Sequence, residues 1–196
     1  MPAFRSGEGQ APAWCELSYF DIVRLGPGQS HRYGRKGPKE KLIVGEGKCA
    51  LKAGDVEVVA GEHGQFDLQP GDPPYEVVRA QASTVLVRMA GRWGDEVGGS
   101  GIFMVTENGA FDNHYHDCDE YWIVFSGRGV AMSEGREYDV GPGDCVATGM
   151  GWHHDFPIVH EPVKAVFFET TIEGQKRAGH LWEHEHGPAE PKRDRV

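Results

Sequence analysis

Short apolar segments bounded by turn residues recur along this chain of 196 residues, and they constrain its fold more than any other feature. Typical segments are YFDIVRL at 19–25, VEVVAG at 56–61, EYWIVFSG at 120–127 and VKAVFFETT at 163–171. Segments rich in Val, Ile, Phe, Tyr and Trp, with turn residues roughly every 8–12 positions, are typical of β-sandwiches and barrels. The chain also contains 28 Gly and 12 Pro, as many tight turns require. We therefore predict an all-β fold.

Two sequence patterns occur twice in the same order. EKLIVGEG at 40–47 resembles EYWIVFSG at 120–127, and FDLQPGD at 66–72 resembles YDVGPGD at 138–144. This repetition predicts a duplicated β unit, with an eight-residue insertion around AGDVEVVAGEH in the first copy. The predicted segments are an N-terminal arm at 1–16, a first unit at 17–92, a second unit at 97–175 and a tail at 176–196.

Charge and composition restrict the partners and the location of the chain. The formal net charge is −10, which argues against nucleic acids and anionic membranes as partners, because both need clustered Lys and Arg. The N-terminal residues lack the apolar core of a signal peptide, and nowhere are there about 18 consecutive apolar residues. We expect a cytoplasmic protein that acts on a small molecule.

The segment HYHDCDE carries the main chemical signal. Alternate side chains of a strand share a face, so His114 and His116 point to the same side. A turn over the following tripeptide then places Glu120 at the start of the next strand, where the three side chains can converge. Two imidazoles and a carboxylate suit a divalent transition metal such as Fe, Mn, Zn, Ni or Co.

A second segment, GPGDCVATGMGWHHDF at 141–156, supplies a further ligand. Gly143 and Asp144 predict a turn, a short strand follows, and the segment then reaches His153 and His154. One histidine of this pair would complete a site of four protein ligands.

The two segments together closely resemble the two motifs of the cupin superfamily. The pattern G-x4-HxHx3E-x6-G spans Gly109 to Gly127, and PGD-x9-H spans Pro142 to His154. The resemblance covers 97–172 well and 17–92 more faintly. It implies a double-stranded β-helix, or jelly-roll barrel, duplicated as in a bicupin. It also implies a metal site whose ligands are His114, His116, Glu120 and His154.

The segment departs from the second motif at two positions. Gly149 replaces the usual proline, and His153 precedes the expected histidine. The spacing from Gly143 and Asp144 favours His154 as the ligand.

The first unit keeps the scaffold of the resemblance without its ligands. Gly34 and Lys36 occupy the positions that match His114 and His116, and Ala82 occupies the one that matches His154. Glu40 matches Glu120, and His31 is near in sequence. We therefore predict one metal site, in the second unit.

The residues and the resemblance are compatible with three functions. The first is a metal-dependent isomerase or lyase that acts on a sugar, sugar phosphate or hydroxy or keto acid. In this enzyme, His153 or a displaced Glu120 would move a proton. The second is an iron- or manganese-dependent dioxygenase or decarboxylase. The third is a non-catalytic protein that binds a metal or a small ligand.

The C-terminal segment is rich in histidine. The tail GHLWEHEHGPAEPKRDRV adds His180, His184 and His186. It is either an exposed polar tail that binds metals adventitiously, or a segment whose GHLW portion folds over the barrel mouth. We expect a homodimer, because exposed edge strands of jelly rolls are often covered by a partner subunit.

Overall fold

The structure, a computed structural model, describes residues 3–5, 11–95, 97–107, 109, 112–170, 179–183 and 189–196. Within these ranges the regular secondary structure consists of β-strands. The strands are β1 Ala3–Arg5, β2 Leu17–Leu25, β3 His31–Arg32, β4 Lys39–Glu46, β5 Lys48–Ala53, β6 Val56–Gly61, β7 Gln65–Leu68, β8 Tyr75–Ala80, β9 Thr84–Gly91, β10 Gly99–Val105, β11 Asp119–Ser133, β12 Arg136–Val140, β13 Asp144–Thr148 and β14 His154–Thr170.

The chain divides into two compact units. The first unit is Leu17–Arg92, and the second unit consists of Met1–Glu16 with Trp93–Val196. Every strand pair in both units is antiparallel. The prediction of an all-β jelly-roll fold is confirmed.

In the second unit, the sheet order is β1-β13-β11-β14-β10, and β12 also pairs with β11. The first half of β11 pairs with β13 and its second half with β12, while β14 follows β11 along its length. Register shifts between Val124 and Met132 allow both long strands to bend from one wall of the barrel to the other. The two strands thereby position residues on both walls.

Period-two alternation explains the core of the second unit. Trp122 and Val124 on β11 are buried in the same cluster as Val163 and Ala165 on β14. In each strand these residues are two positions apart, so they lie on one face. Burial of this apolar face is the main stabilising contribution of such a barrel.

The first unit forms two four-stranded sheets, β2-β9-β4-β7 and β3-β8-β5-β6. Leu42 and Val44 on β4 pack in one cluster with Leu51 on β5, Val77 on β8 and Leu86 on β9. The interior is therefore apolar over most of its length.

Strand register repeats between the units at a constant spacing of 80 residues. In the first unit Glu40 pairs with Leu68, and in the second unit Glu120 pairs with Thr148, so that 120 − 40 and 148 − 68 both equal 80. The turns before β7 and β13 also match. His63 N donates to Val44 O at 3.0 Å, and Gly143 N donates to Val124 O at 2.9 Å.

The predicted eight-residue insertion is therefore wrong. The segment that corresponds to 142–144 is 62–64, rather than the Pro-Gly-Asp turn at 70–72. The error has a physical cause, because both Pro-Gly-Asp segments form the same local turn. In each turn, an Asp carboxylate (Asp72 or Asp144) accepts from the backbone N–H three residues earlier, and the Asp N–H donates back to that residue's carbonyl.

The same register corrects the matching of the ligand positions. Ala53 pairs with Tyr75 and Ser133 pairs with His154, so Tyr75, rather than Ala82, occupies the place of His154. Tyr33 N donates to Tyr75 O at 3.0 Å, as His114 N donates to His154 O at 3.2 Å.

Tyr33 therefore takes the place of His114, where Gly34 was predicted. Arg35 lies two residues further along the chain, as His116 lies two residues after His114, so Arg35 takes the place that was predicted for Lys36.

Glycine is required where EKLIVGEG and EYWIVFSG end. Gly47 and Gly127 have φ angles of 78° and 74°, in the left-handed region. A Cβ atom would lie 2.1 Å from Ser83 O at Gly47 and 1.9 Å from Pro162 O at Gly127. The repeated glycine thus marks a close approach of two backbones in each unit.

Candidate metal centre

Backbone hydrogen bonds connect the segments that carry the histidines. His114 N donates to His154 O, and His154 N donates to His114 O at 2.8 Å. His154 is the first residue of β14, and Glu120 is the second residue of β11, which pairs with it. The polar residues therefore lie at strand ends, next to the apolar core.

The structure brings together the four predicted ligands, His114, His116, Glu120 and His154. One ligand atom from each lies within 4.8 Å of the others, and all four residues are buried. Glu120 Oε2 is 2.8 Å from His154 Nε2 and 3.2 Å from His116 Nε2. The spacing is short enough for one ion to contact all four side chains.

Hydrogen bonds to backbone carbonyls orient all three imidazoles. Nδ1 of His114 donates to Asp112 O at 2.7 Å, Nδ1 of His116 to Gly179 O at 3.0 Å, and Nδ1 of His154 to Trp152 O at 3.0 Å. A carbonyl oxygen can only accept, so each neutral ring carries its proton on Nδ1. The lone pair of each Nε2 then faces the centre of the cluster, as in histidines that bind metals.

This donor set fits a divalent cation. Three unprotonated Nε2 atoms and a carboxylate oxygen would otherwise face one another without a proton or positive charge between them. Burial and the neighbouring His154 lower the pKa of His114 to about 4. Burial works to raise the pKa of Glu120, but the neighbouring imidazoles of His116 and His154 prevail and hold that pKa well below its usual value. The ligands are thus kept in the forms that bind a metal.

The lone pairs of the Nε2 atoms and the carboxylate of Glu120 repel one another. Without a metal, protonation of one histidine would relieve this repulsion. Burial works to lower the pKa of His116, but the hydrogen bond and charge of Glu120 prevail and raise it. The raised pKa favours protonation of His116 when no cation is bound.

A second carboxylate lies beside the cluster and was missed by the sequence analysis. Glu169 on β14 pairs with Glu120 across the sheet, and its Oε1 is 3.9 Å from His116 Nε2. It is 1% exposed. Val163, Ala165, Phe167 and Glu169 follow one another at every second position and therefore share one strand face. A carboxylate on this otherwise apolar face could have indicated that Glu169 points inward.

The side chain of Trp122 orients the ligand Glu120 through a hydrogen bond. Its Nε1 donates to Glu120 Oε1 at 2.9 Å, which leaves Oε2 to face the histidines. Trp122 and Val124 both belong to the core cluster of the second unit, so the tryptophan packs in the core and also orients a ligand.

Residues 179–183 fold over the mouth of the barrel. This is the second of the two predictions for the tail, in which the GHLW portion covers the barrel. The Leu181 backbone bridges to Tyr115, and His180 stacks on His114 with ring centroids 4.1 Å apart. Trp182 Nε1 donates to Asp112 Oδ2 at 2.6 Å. This segment buries the metal-ligand cluster. His184 and His186 lie outside the described residues.

The end of the chain explains Gly149, the position at which the cupin motif usually has proline. A Cβ atom on Gly149 would lie 2.7 Å from Arg195 O, and one on Gly151 would lie 2.7 Å from Glu190 O. Arg195 also pairs with the buried Asp119, at 2.7 Å. The loop before His154 is thus shaped to receive residues 189–196.

His153 does not join the ligand cluster. Its Nε2 lies 3.1 Å from Trp182 O, and its ring is 5.1 Å from that of Tyr115. Because β-strand residues alternate, the buried His154 points into the barrel while His153 points towards the tail. The predicted catalytic role of His153 remains a prediction, and the contacts of this residue connect it with the covering segment.

Comparisons with known proteins agree with this fold. Residues 101–169 match the cupin domain family. AerE from Microcystis aeruginosa superposes with a TM-score of 0.61 at 8% identity, over 78% of this chain and 87% of that one. Bacillus subtilis oxalate decarboxylase, described with Mn(II) centres, has a TM-score of 0.58 at 14% identity, over 86% of this chain and 72% of that one. These structures establish the fold alone.

Residues 101–169 therefore form a cupin domain, and its His/Glu cluster could hold a metal ion. The chain is also 40% identical to the uncharacterized protein y4oW of Sinorhizobium fredii, over 100% of this chain and 97% of that protein. It belongs to the same family as y4oW.

In the part of the chain that the structure describes, no helix is long and apolar enough to cross a membrane.

Proposed function

We propose that this protein is a metal-dependent enzyme that acts on a small oxygen-rich metabolite, such as a sugar, a sugar phosphate or a hydroxy or keto acid. The observation that carries this proposal is the convergence of three oriented Nε2 atoms and Glu120 Oε2 within a buried cluster. A metal bound there would polarise a carbonyl or hydroxyl group of the substrate.

Proton transfer is assigned to Glu169. This carboxylate is buried, faces the cluster from the neighbouring strand and lies 3.9 Å from His116 Nε2. It is therefore close enough to reach a proton on a substrate carbon or oxygen beside the metal. His153, the acid/base residue predicted from sequence, is directed to the covering segment instead.

Residues 179–183 exclude water from the reaction. Gly179 O accepts from His116, and His180 covers His114, so this segment must move before a substrate can reach the ligands. Gly179 has a φ of 96°, and a Cβ atom there would contact nothing within 4 Å. We place the hinge of the covering segment at this glycine.

We also propose that the first unit is a second cupin barrel that has lost the metal ligands. The repeated strand register and the paired glycines Gly47 and Gly127 support this proposal. The chain would then be a bicupin with one metal site.

Metal analysis of protein purified without a histidine tag tests the proposal. We expect about one transition-metal ion per chain, and loss of activity on sugars and hydroxy acids after chelation. Glu169→Gln should lower kcat by about 100-fold or more and leave metal content unchanged. Glu137→Gln, on an exposed strand face, is the matched control.

Oxygen uptake during turnover distinguishes the iron- or manganese-dependent dioxygenase from the isomerase or lyase. Manganese without oxygen consumption, together with release of CO2, would indicate a decarboxylase. Metal-free protein with full activity would overturn the proposal.

A further inference from the structure

Residues 189–196, the C-terminal arm, pack on residues 149–153, the ligand loop that leads into β14. Lys192 N donates to Met150 O at 3.3 Å, and Trp152 Nε1 donates to Lys192 O at 2.9 Å. The arm is therefore bound to the ligand loop through backbone and side-chain groups.

The ligand loop in turn contacts the residues that carry two of the imidazoles. Gly151 N donates to His116 O at 2.9 Å, and Trp152 O accepts from His154 Nδ1 at 3.0 Å. A shift of this loop would move the backbone of His116 and release the ring of His154. The position of the loop therefore affects where both Nε2 atoms lie.

Asp119 joins the ligand loop to the strand that carries Glu120. It immediately precedes Glu120 on β11, and its Oδ1 accepts from Met150 N at 2.8 Å. Adjacent residues of a strand face opposite sides, so this carboxylate points away from the cluster that Glu120 faces. Asp119 therefore acts on the ligands through the backbone.

Arg195 of the C-terminal arm holds Asp119 in this position. Its Nη1 lies 2.7 Å from Oδ1 and 2.8 Å from Oδ2 of Asp119. The Asp119 side chain is fully buried, and the Arg195 side chain is 16% exposed. A buried carboxylate is strongly destabilised when its positive partner is removed. Without Arg195, the carboxylate would turn towards water and leave Met150 N.

We propose that Arg195 is a positioning residue for the metal ligands. It fixes Asp119 and the ligand loop, and these two fix the backbone segments that carry the ligands. The C-terminal arm thereby determines how tightly the ion is held and in which coordination geometry. This inference rests on the metal-binding part of the proposed function and is independent of the substrate and the reaction.

Binding of Co²⁺ to the metal-free full chain tests this role, because the visible absorption of Co²⁺ reports its coordination geometry. Competition with a chelator measures the affinity. Arg195→Met removes the charge and keeps the length of the side chain. It should weaken Co²⁺ binding about tenfold and shift the absorption bands, because residues that orient the ligands contribute about 10–100-fold to metal affinity. Since one Nη1 atom makes both contacts, Arg195→Lys should restore the affinity to within about threefold of wild type.

Gly149→Ala disturbs the same contact without changing a charge. A Cβ atom there would lie 2.5 Å from Arg195 Cβ and 2.7 Å from Arg195 O, so the arm must shift. We expect weaker Co²⁺ binding and the same change in absorption, and the double variant with Arg195→Met should bind no more weakly than the weaker single variant. Gly141→Ala is the matched control. Its Cβ atom would meet Arg128 Cβ at 3.8 Å, an ordinary contact, so affinity and absorption should stay unchanged.

Arg193→Met is the matched control for charge, because Arg193 is an exposed residue of the same arm and its loss should not affect Co²⁺ binding. Thermal unfolding of the metal-free variants shows which chains are folded at the temperature of the titration. If Arg195→Met is not, Gly149→Ala decides.

The proposal is overturned if wild type and Arg195→Met have equal affinity and absorption, or if Arg193→Met weakens binding as much. A weaker affinity with unshifted absorption would also overturn it, because the pair would then stabilise the fold without positioning the ligands. A wild-type chain that binds no Co²⁺ would overturn the metal centre together with this role, whereas a chain that binds Co²⁺ normally but lacks activity contradicts only the proposed reaction.

Discussion

The two units place four polar side chains at matching strand positions, yet the chemistry of the two sets differs. The second unit has three histidines around Glu120, and the first has two tyrosines and an arginine around Glu40. Imidazoles offer lone pairs to a metal, whereas phenols and guanidinium offer hydrogen-bond donors. The strand register determines where a site lies, and the residue types determine what it binds.

The two glutamates show this difference most directly. Glu120 Oε2 faces His116 and His154, and its Oε1 accepts from Trp122. Glu40 Oε1 accepts from a backbone N–H, and its Oε2 faces Arg88 at 3.9 Å. Both carboxylates are buried and surrounded by groups that can carry positive charge, but the lone pairs needed to coordinate a cation surround only Glu120.

The largest loss of stability is expected from substitution of Gly47 or Gly127, the glycines at which the two units are most alike. Gly47→Ala and Gly127→Ala should each destabilise the fold by about 4 kcal/mol or more, because the new methyl group would overlap a backbone carbonyl. Chemical denaturation measures the loss. Gly135→Ala is the matched control, since Gly135 has a φ of 72° but nothing within 4 Å, and it should cost about 1 kcal/mol. Equal losses at all three positions would show that the backbone approach is unimportant.

The second prediction separates the units by their ligands. The double variant His116→Ala, His154→Ala should lower metal affinity by about 100-fold or more, because it removes two of four ligands. The matched double variant Tyr33→Phe, Tyr75→Phe should keep the full metal content. Metal per chain is measured by elemental analysis after dialysis. Metal retained by the histidine variant, or lost by the tyrosine variant, would assign the ion to a different place.

Strand periodicity predicted the all-β fold, and the resemblance to the cupin motifs implied the jelly roll and the four side chains that meet in the second unit. Both signals are local, because alternate residues share a strand face and short turns leave few geometries open. The same reliance on local signals produced the wrong matching of 66–72 with 138–144. Identical turn chemistry recurs at unrelated positions, and only the hydrogen-bonded register shows which turns correspond.

Contacts between distant parts of the chain lay beyond sequence reasoning. Glu169 reaches the cluster because β14 pairs with β11, and His180 covers His114 because Leu181 bridges to Tyr115. The positions of the polar clusters in both units depend on pairings between residues that are 40 or more positions apart, such as His154 with His114 and Tyr75 with Tyr33. The spacing of residue types does not encode these pairings.

Metal-free protein should lose folding stability as the pH falls. The pKa of His114 is lowered to about 4, so the folded chain binds this proton less well than the unfolded chain. Stability should therefore fall by about 3 kcal/mol as the pH decreases from about 6.5 to 4. The pKa of Glu120 is also lowered, and its contribution is lost in the same direction, as the pH falls below its ordinary value towards the pKa of the folded state.

His116 opposes this trend in part. Its pKa is raised, so its contribution is present below the ordinary pKa of histidine and is lost as the pH rises through the raised value. Denaturation midpoints between pH 4 and 8 measure the sum. His114→Gln cannot titrate and should flatten the profile between pH 4 and 6.5. An unchanged profile in this variant would show that His114 does not set the dependence, and Tyr33→Phe, at the matching position of the first unit, should keep the wild-type profile.

The smallest effect is expected in the segment 179–183, which covers the metal centre of the second unit. Trp182 Nε1 donates to Asp112, and this bond lowers the pKa of that carboxyl. Trp182→Phe should speed metal release to a chelator about threefold, since a single partly exposed hydrogen bond contributes about 0.5–1.5 kcal/mol. Asp112→Asn should act in the same direction. Because both changes remove one interaction, the double variant should release metal no faster than the more affected single variant. Multiplicative rates would instead mean that Trp182 and Asp112 hold the covering segment independently, and unchanged rates would mean that metal leaves without its movement.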